Sequence, residues 1–167
     1  MKRAFVSLVL VLPLAAIAAD ATPDSAFYKH AAEGGIAEVE AGTLAQQKSD
    51  NPSVKDFGAM MVKDHSAANE KLKSVAAAKN ISLPMSPSVA QMASKAKLEI
   101  LSGKAFDKSY IKGMIKDHDE DIAMFEKEAE SGQDPEAKAY AAATLPTLRA
   151  HLRKIKAIAN SAGVNKD

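Results

Sequence analysis

The chain has 167 residues, 47% apolar, 26% charged and 5% aromatic, with no Cys and no Trp. That length suits one domain with a real core, and the apolar share excludes a disordered chain. A formal charge of +1 argues against a nucleic-acid surface. The missing Cys excludes disulfides, thiolate metal sites, Cys nucleophiles and a lipidated N-terminal Cys.

Residues 1–19 read as a signal peptide, which leaves 20–167 as a single helical domain. Lys2 and Arg3 form the positive start, and Ala4–Ala18 is an apolar run interrupted by Pro13. Ala16-Ile17-Ala18 offers a small-x-small cleavage site, with Ala19 or Ala21 as alternative ends. The run is shorter than the ~20 residues a membrane helix needs, and no later segment qualifies. A retained N-terminal anchor is the competing reading. Cleavage removes Lys2 and Arg3 and no acid, which changes the sign of the formal charge. The expectation is an exported, periplasmic protein whose mature chain has no transmembrane segment, with outer-membrane association left open. Lacking disulfides in an oxidising compartment, it must stand on packing alone.

Turn and cap signals then divide the chain into helices. Pro23 and Asp24 open the first, which runs to about Lys48 and stops at Ser49-Asp50-Asn51. Asn51 caps the second and Pro52 is its first residue; it continues to Lys79-Asn80. Residues 81–87 hold two prolines and form a connection. A short helix follows from about Ser88 to Leu101, stopped by Ser102-Gly103. The third long helix spans about Ala105 to Glu130, and Asp134-Pro135 opens the last, which reaches about Asn160. Pro146 inside it predicts a kink. No alternating Val/Ile-rich run suggests a strand. These signals predict an all-α antiparallel four-helix bundle with a short extra helix between the second and third long helices. Met61-Val62-Lys63-Asp64-His65 echoes Met114-Ile115-Lys116-Asp117-His118, which hints at pseudo-symmetry between two halves.

Turning each helix by 100° per residue locates the inward stripes. In the first the stripe is Phe27, Ala31, Gly35, Glu38, Val39, Gly42 and Ala45, with Glu33 and Glu40 pointing elsewhere. In the second, Phe57, Met61, Ala68, Leu72 and Val75 face in, with Asp64 and His65 on the shoulders. The third turns in Tyr110, Ile111, Met114, Ile122, Phe125 and Ala129 around His118. The fourth turns in Tyr140, Thr144, Leu148, Leu152, Ile155 and Ala159, with His151 among them. Each long helix thus offers one metal-competent side chain: Glu38, His65, His118 and His151. His30 lies toward the edge of its stripe. Glu38 and His65 lie about 12 and 14 residues from the turn between them, so at ~1.5 Å per residue they share a level. His118 and His151 agree in the same way about theirs, whereas the relative level of the two hairpins is not set by the sequence.

A lone inward histidine is ordinarily a hydrogen-bonded core residue, and a Glu–His pair can fix helix register without metal. Four such residues, one per helix, are harder to dismiss, because each costs about 1–3 kcal/mol when buried unpartnered. Asp64 and Asp117 are candidate acceptors behind the histidines, or solvated charges. Met61 and Met114, each four residues before a histidine, are candidate soft ligands, with core filling as their ordinary role.

The set Ala31-Ala32-Glu33-Gly34-Gly35, Val54-Lys55-Asp56-Phe57, Met61 to His65, Phe106 to Tyr110, Asp117-His118, Leu145-Pro146 and His151-Leu152 resembles the bacterial exported family called domain of unknown function 4142. The resemblance covers about residues 24–160 and implies a ferritin-like bundle without a settled activity. Ferritin-like di-iron sites carry a Glu three residues before each paired His. Here those positions are Val62, Ile115 and Leu148, so a di-iron centre is not expected. A single Zn, Cu or Fe ion held by Glu38, His65, His118 and His151 is the leading expectation. The alternative is a non-catalytic structural or partner-binding module in the envelope, monomeric or homodimeric, with no nucleic-acid partner. An enzyme ranks third, since no phosphate loop, dinucleotide motif or nucleophile at a recognisable spacing is present.

Overall fold

The computed structural model describes residues 24–164, so the expected signal peptide lies outside the described residues. Five helices follow in chain order: α1 (Ser25–Lys48), α2 (Pro52–Ala77), α3 (Val89–Ile100), α4 (Gly103–Ser131) and α5 (Pro135–Ser161). Their starts are chemically marked. Asn51 Oδ1 accepts from the Ser53 amide ahead of Pro52, and Asp134 Oδ1 accepts from the amides of Glu136 and Ala137 ahead of Pro135. Ser88 and Gln91 form a reciprocal capping box on α3. Asp24 makes no cap on α1; its carboxylate accepts instead from the amides of Gln133 and Asp134, tying α1 to the α4–α5 turn. Helix α5 runs through Pro146 without a break in its assignment.

Contacts between ends give the topology. The start of α1 meets the end of α4 through Phe27 and Phe125, and its end meets the start of α4 through Ser49 and Asp107. The end of α2 meets the start of α5 through Lys79 and Asp134. Neighbouring long helices are therefore antiparallel, and the chain crosses the length of the bundle between α2 and α4. Helix α3 makes that crossing alongside α1, held by Lys95 to Glu40 and by Lys48 to the Glu99 carbonyl. Close packing of α1 on α2 depends on two glycines. A Cβ at Gly42 would sit 2.7 Å from the Gly58 carbonyl oxygen, and one at Gly58 would sit 2.6 Å from that of Gly42.

The apolar core is split in two. One cluster contains Ala41, Ala45, Val54, Phe57, Met61, Phe106, Tyr110, Ile111, Met114 and Ile155. The other contains Phe27, Tyr28, Ala31, Leu72, Phe125, Tyr140 and Leu148. Along every long helix one residue of the expected polar set falls between the two clusters: Glu38, His65, His118 and His151. Two inward assignments change. His65 is buried rather than on a shoulder, and Glu33 is buried beside Lys29 and His30 rather than directed away. His65 on α2 is enclosed by Glu38, His118 and His151 from the other three long helices, and Glu33 lies on α1, which has α2, α3 and α4 beside it.

Candidate metal centre

The two hairpins share one level, and the polar layer closes around three imidazoles. Ring centroids lie 5.7 Å apart for His65 and His118, 5.3 Å for His65 and His151, and 5.4 Å for His118 and His151. Exposure falls to 5%, 0% and 2% for these residues and to 3% for Glu38. One nitrogen from each ring lies within 4.8 Å of the others.

Each ring is oriented by an acceptor on its other side. His65 Nδ1 lies 2.8 Å from Glu38 Oε2, His118 Nδ1 lies 2.9 Å from the Met114 carbonyl oxygen, and His151 Nε2 lies 3.0 Å from Asp64 Oδ2. An acceptor at one ring nitrogen fixes the proton there and leaves a lone pair on the other. The nitrogens without such an acceptor are His65 Nε2, His118 Nε2 and His151 Nδ1. His118 Nε2 and His151 Nδ1 are 3.4 Å apart, while His65 Nε2 is buried with no hydrogen-bond partner. Two bonds of ~2.05 Å at a tetrahedral angle hold their nitrogens ~3.3 Å apart. The observed pair has that spacing.

Electrostatics follow from the same contacts. Burial opposes ionisation of Glu38, but the charges of His65 and His118 outweigh it and hold the carboxyl down at about 2. Burial likewise opposes the His65 cation, and the charge and hydrogen bond of Glu38 prevail, raising its pKa. For His118 and His151 burial prevails and lowers the pKa, against the pull of Glu38 on the first and of Asp64 on the second. Glu38 thus makes His65 the most basic of the three imidazoles, beside two that favour the neutral form, and a metal at His65 Nε2 would have to displace any proton there.

The other sequence candidates fall in different places. Asp64 reaches the cluster from a half-exposed position, whereas Asp117 is directed toward Lys116, 4.0 Å away, with 47% of its side chain exposed. The echo between helices therefore breaks at the aspartates, because α2 and α4 present different neighbours to the same motif. Met61 and Met114 are both buried in the first apolar cluster, and Met114 touches the site through its carbonyl. His30 is exposed, 3.6 Å from Glu33. Three polar neighbours escaped the sequence reading. Asp121 and Asn69 join Glu38 and His65 around a void of about 10 Å³, room for about one water. Burial, then the Glu38 charge, pushes the Asp121 carboxyl well above its usual range. Tyr110 was read only as an apolar ring, yet its buried hydroxyl has no partner. Asp121 lies three residues beyond His118, a spacing that marks the same helix face and could have singled it out.

Among the described residues no helix is long and apolar enough to cross a membrane. No curated protein matches the chain. Solved structures do, at low identity. A DUF305 protein from Streptomyces coelicolor superposes with a TM-score of 0.71 at 15% identity, covering 88% of this chain and 97% of that one. A DUF305 fragment from Deinococcus radiodurans gives 0.71 at 16% identity, covering 83% and 95%. CopM in its Cu(I)-bound form gives 0.69 at 15%, covering 83% and 96%. At such identities the likeness is one of fold, the ferritin-like helical bundle. The model of one family spans almost the whole sequence, residues 11–158, and the chain belongs to that family, DUF4142, a domain of unknown function.

Proposed function

We propose that the protein is an exported, periplasmic metal-binding bundle that holds one copper or zinc ion through His65 Nε2, His118 Nε2 and His151 Nδ1. The observation that carries this reading is that one nitrogen of each of three buried imidazoles lies within 4.8 Å of the others, while each ring is held by Glu38, the Met114 carbonyl or Asp64. Glu38 is in this reading a positioning residue rather than a fourth ligand, since Oε2 lies 2.8 Å from His65 Nδ1 and Oε1 lies 3.2 Å from His118 Nδ1. Three imidazoles suit zinc and copper, and three protein ligands leave a position open. The likeness to a bundle solved with Cu(I) bound is a supporting analogy of fold. Export rests on the leader expected at residues 1–19.

Metal analysis of untagged protein, followed by titration with Cu(I), Cu(II) and Zn(II), tests the reading. The expected result is one ion per chain, lost in His65→Ala, His118→Ala and His151→Ala. Glu38→Gln and Asp64→Asn are expected to weaken binding about 10–100-fold, as loss of an orienting partner does. Absence of metal together with an unchanged melting temperature in all three titrations refutes it and leaves the polar layer as a structural register device.

A further inference from the structure

Helix α3 carries its apolar stripe on the outside. Val89, Met92, Ala93, Ala96 and Ile100 fall within an arc of about 100° at 3.6 residues per turn, the width of stripe that ordinarily faces a core. All five are exposed, and the buried residue of the helix, Leu98, lies on the opposite side. Exposure reaches 79% at Val89 and 84% at Ile100, and Met85 just ahead of the helix is 89% exposed. Single exposed apolar side chains are ordinary, whereas a contiguous stripe marks a surface that meets something else.

The inner contacts fix this rotation. Leu98 belongs to the first apolar cluster, and Lys95 pairs with Glu40 of α1. Turning the stripe inward would give up both. Charge around the stripe is one-sided. Residues 81–108 carry Lys95, Lys97, Lys104 and Lys108 against Glu99 and Asp107, in a chain whose formal charge is only +1. Lys97 lies about 40° beyond Ala93, at one edge of the stripe, and the exposed Lys104 follows Ile100 by four residues. At the other edge Glu99 is answered by Lys95, 3.8 Å away, and Lys48 reaches the Glu99 carbonyl. Asp107 is engaged by the Ser49 hydroxyl.

An apolar strip with a cationic margin fits a surface that is anionic outside and apolar beneath. We propose that α3 docks the protein on an anionic phospholipid surface, with Met85, Val89, Met92 and Ile100 entering the acyl boundary while Lys97 and Lys104 meet the phosphates. The 12 residues of α3 extend ~18 Å, short of a ~30 Å hydrocarbon core, so the helix lies in the interface plane. A second copy of the chain seated on the same face would set these lysines against one another, which like charge opposes. No ligand of the proposed metal centre lies on α3, so the two readings fail separately.

Cosedimentation with vesicles tests the face, using the chain from residue 20 onward so that the apolar leader does not contribute. Residues 24–164 hold all five helices. Vesicles of phosphatidylglycerol and phosphatidylcholine in equal parts are compared with phosphatidylcholine alone. Binding is expected on the anionic vesicles, weakening as salt rises, and little on the neutral ones. Lys97→Ala and Lys104→Ala should each weaken it about 5-fold. Val89→Ser combined with Ile100→Ser changes no charge and should weaken it at least about 10-fold. The melting temperature should stay unchanged, because both side chains already face water. The chain has no Trp, so Ile100→Trp supplies a single probe whose emission should shift to the blue on anionic vesicles. Undiminished binding of the double Ser variant, equal binding to both kinds of vesicle, an unshifted emission, or no binding at about 1 mM lipid overturns the proposal. Self-association that the double Ser variant abolishes, with no vesicle binding, also overturns it and gives the face to a second copy.

Discussion

Glu128 shows how a single carboxyl can set a pH response far from the histidines. It is buried at the end of α4 with Oε1 unpartnered. Burial, the charge and hydrogen bond of Asp24, and the charge of Asp134 raise its pKa from 4.5 to about 7, against the pull of Lys138. Two carboxyls joined by a hydrogen bond need one proton between them. A raised folded-state pKa means a contribution fully present below about 4.5 and lost as pH rises through about 7. Glu128→Gln keeps a donor without titrating. It should match the native chain within ~0.5 kcal/mol at about pH 4 and exceed it by about 2 kcal/mol at about pH 8. Urea unfolding at the two pH values checks this, and an unchanged difference between them would remove the shared proton from the account. The inward position of His118 and His151 was legible from helical spacing alone. The roles of Glu38 and Asp64 were not, because a ring's proton position depends on an acceptor supplied by another helix.

Among the elements, α3 departs furthest from an ordinary amphipathic helix. Leu98 is its single buried residue, while Val89, Met92 and Ile100 are exposed, as is Met85 just before it. The crossing segment turns Gln91, Lys95 and Leu98 toward α1 and α4 and leaves an apolar arc outside. Leu98→Ala should cost about 2–3 kcal/mol, whereas Ile100→Ser should stay within about 0.5 kcal/mol. Denaturant melts of the two variants separate the faces, and equal costs would contradict the orientation described. At the α1–α2 contact, Gly58→Ala should cost about 1–3 kcal/mol, since its Cβ meets a backbone oxygen that cannot rotate away. A thermal melt indistinguishable from the native chain would count against that close approach. Helix existence and most boundaries could be read in the sequence, because caps and prolines act within a few residues. The rotation of α3 could not, since its inner neighbours come from α1 and α4.

At the scale of the molecule, the polar layer divides the core and joins both hairpins. His65 belongs to the first hairpin, and His118 and His151 to the second. An ion held by all three would bridge the halves, so binding should appear as global stability. At free metal 100-fold above Kd the gain is about 2.7 kcal/mol, and it should vanish in His65→Ala. Thermal melts at graded metal concentration check it; a shift retained in that variant would place the ion elsewhere. The sequence by itself determined the helices, most of the inward side chains and the absence of the di-iron carboxylate pattern, because periodicity, capping and spacing are local properties. Only the tertiary structure decided that the hairpins meet at one level, that three imidazoles gather there and which acceptor holds each ring. Those depend on the crossing from α2 to α4 and on packing between residues far apart in the chain, where spacing along one helix carries no information.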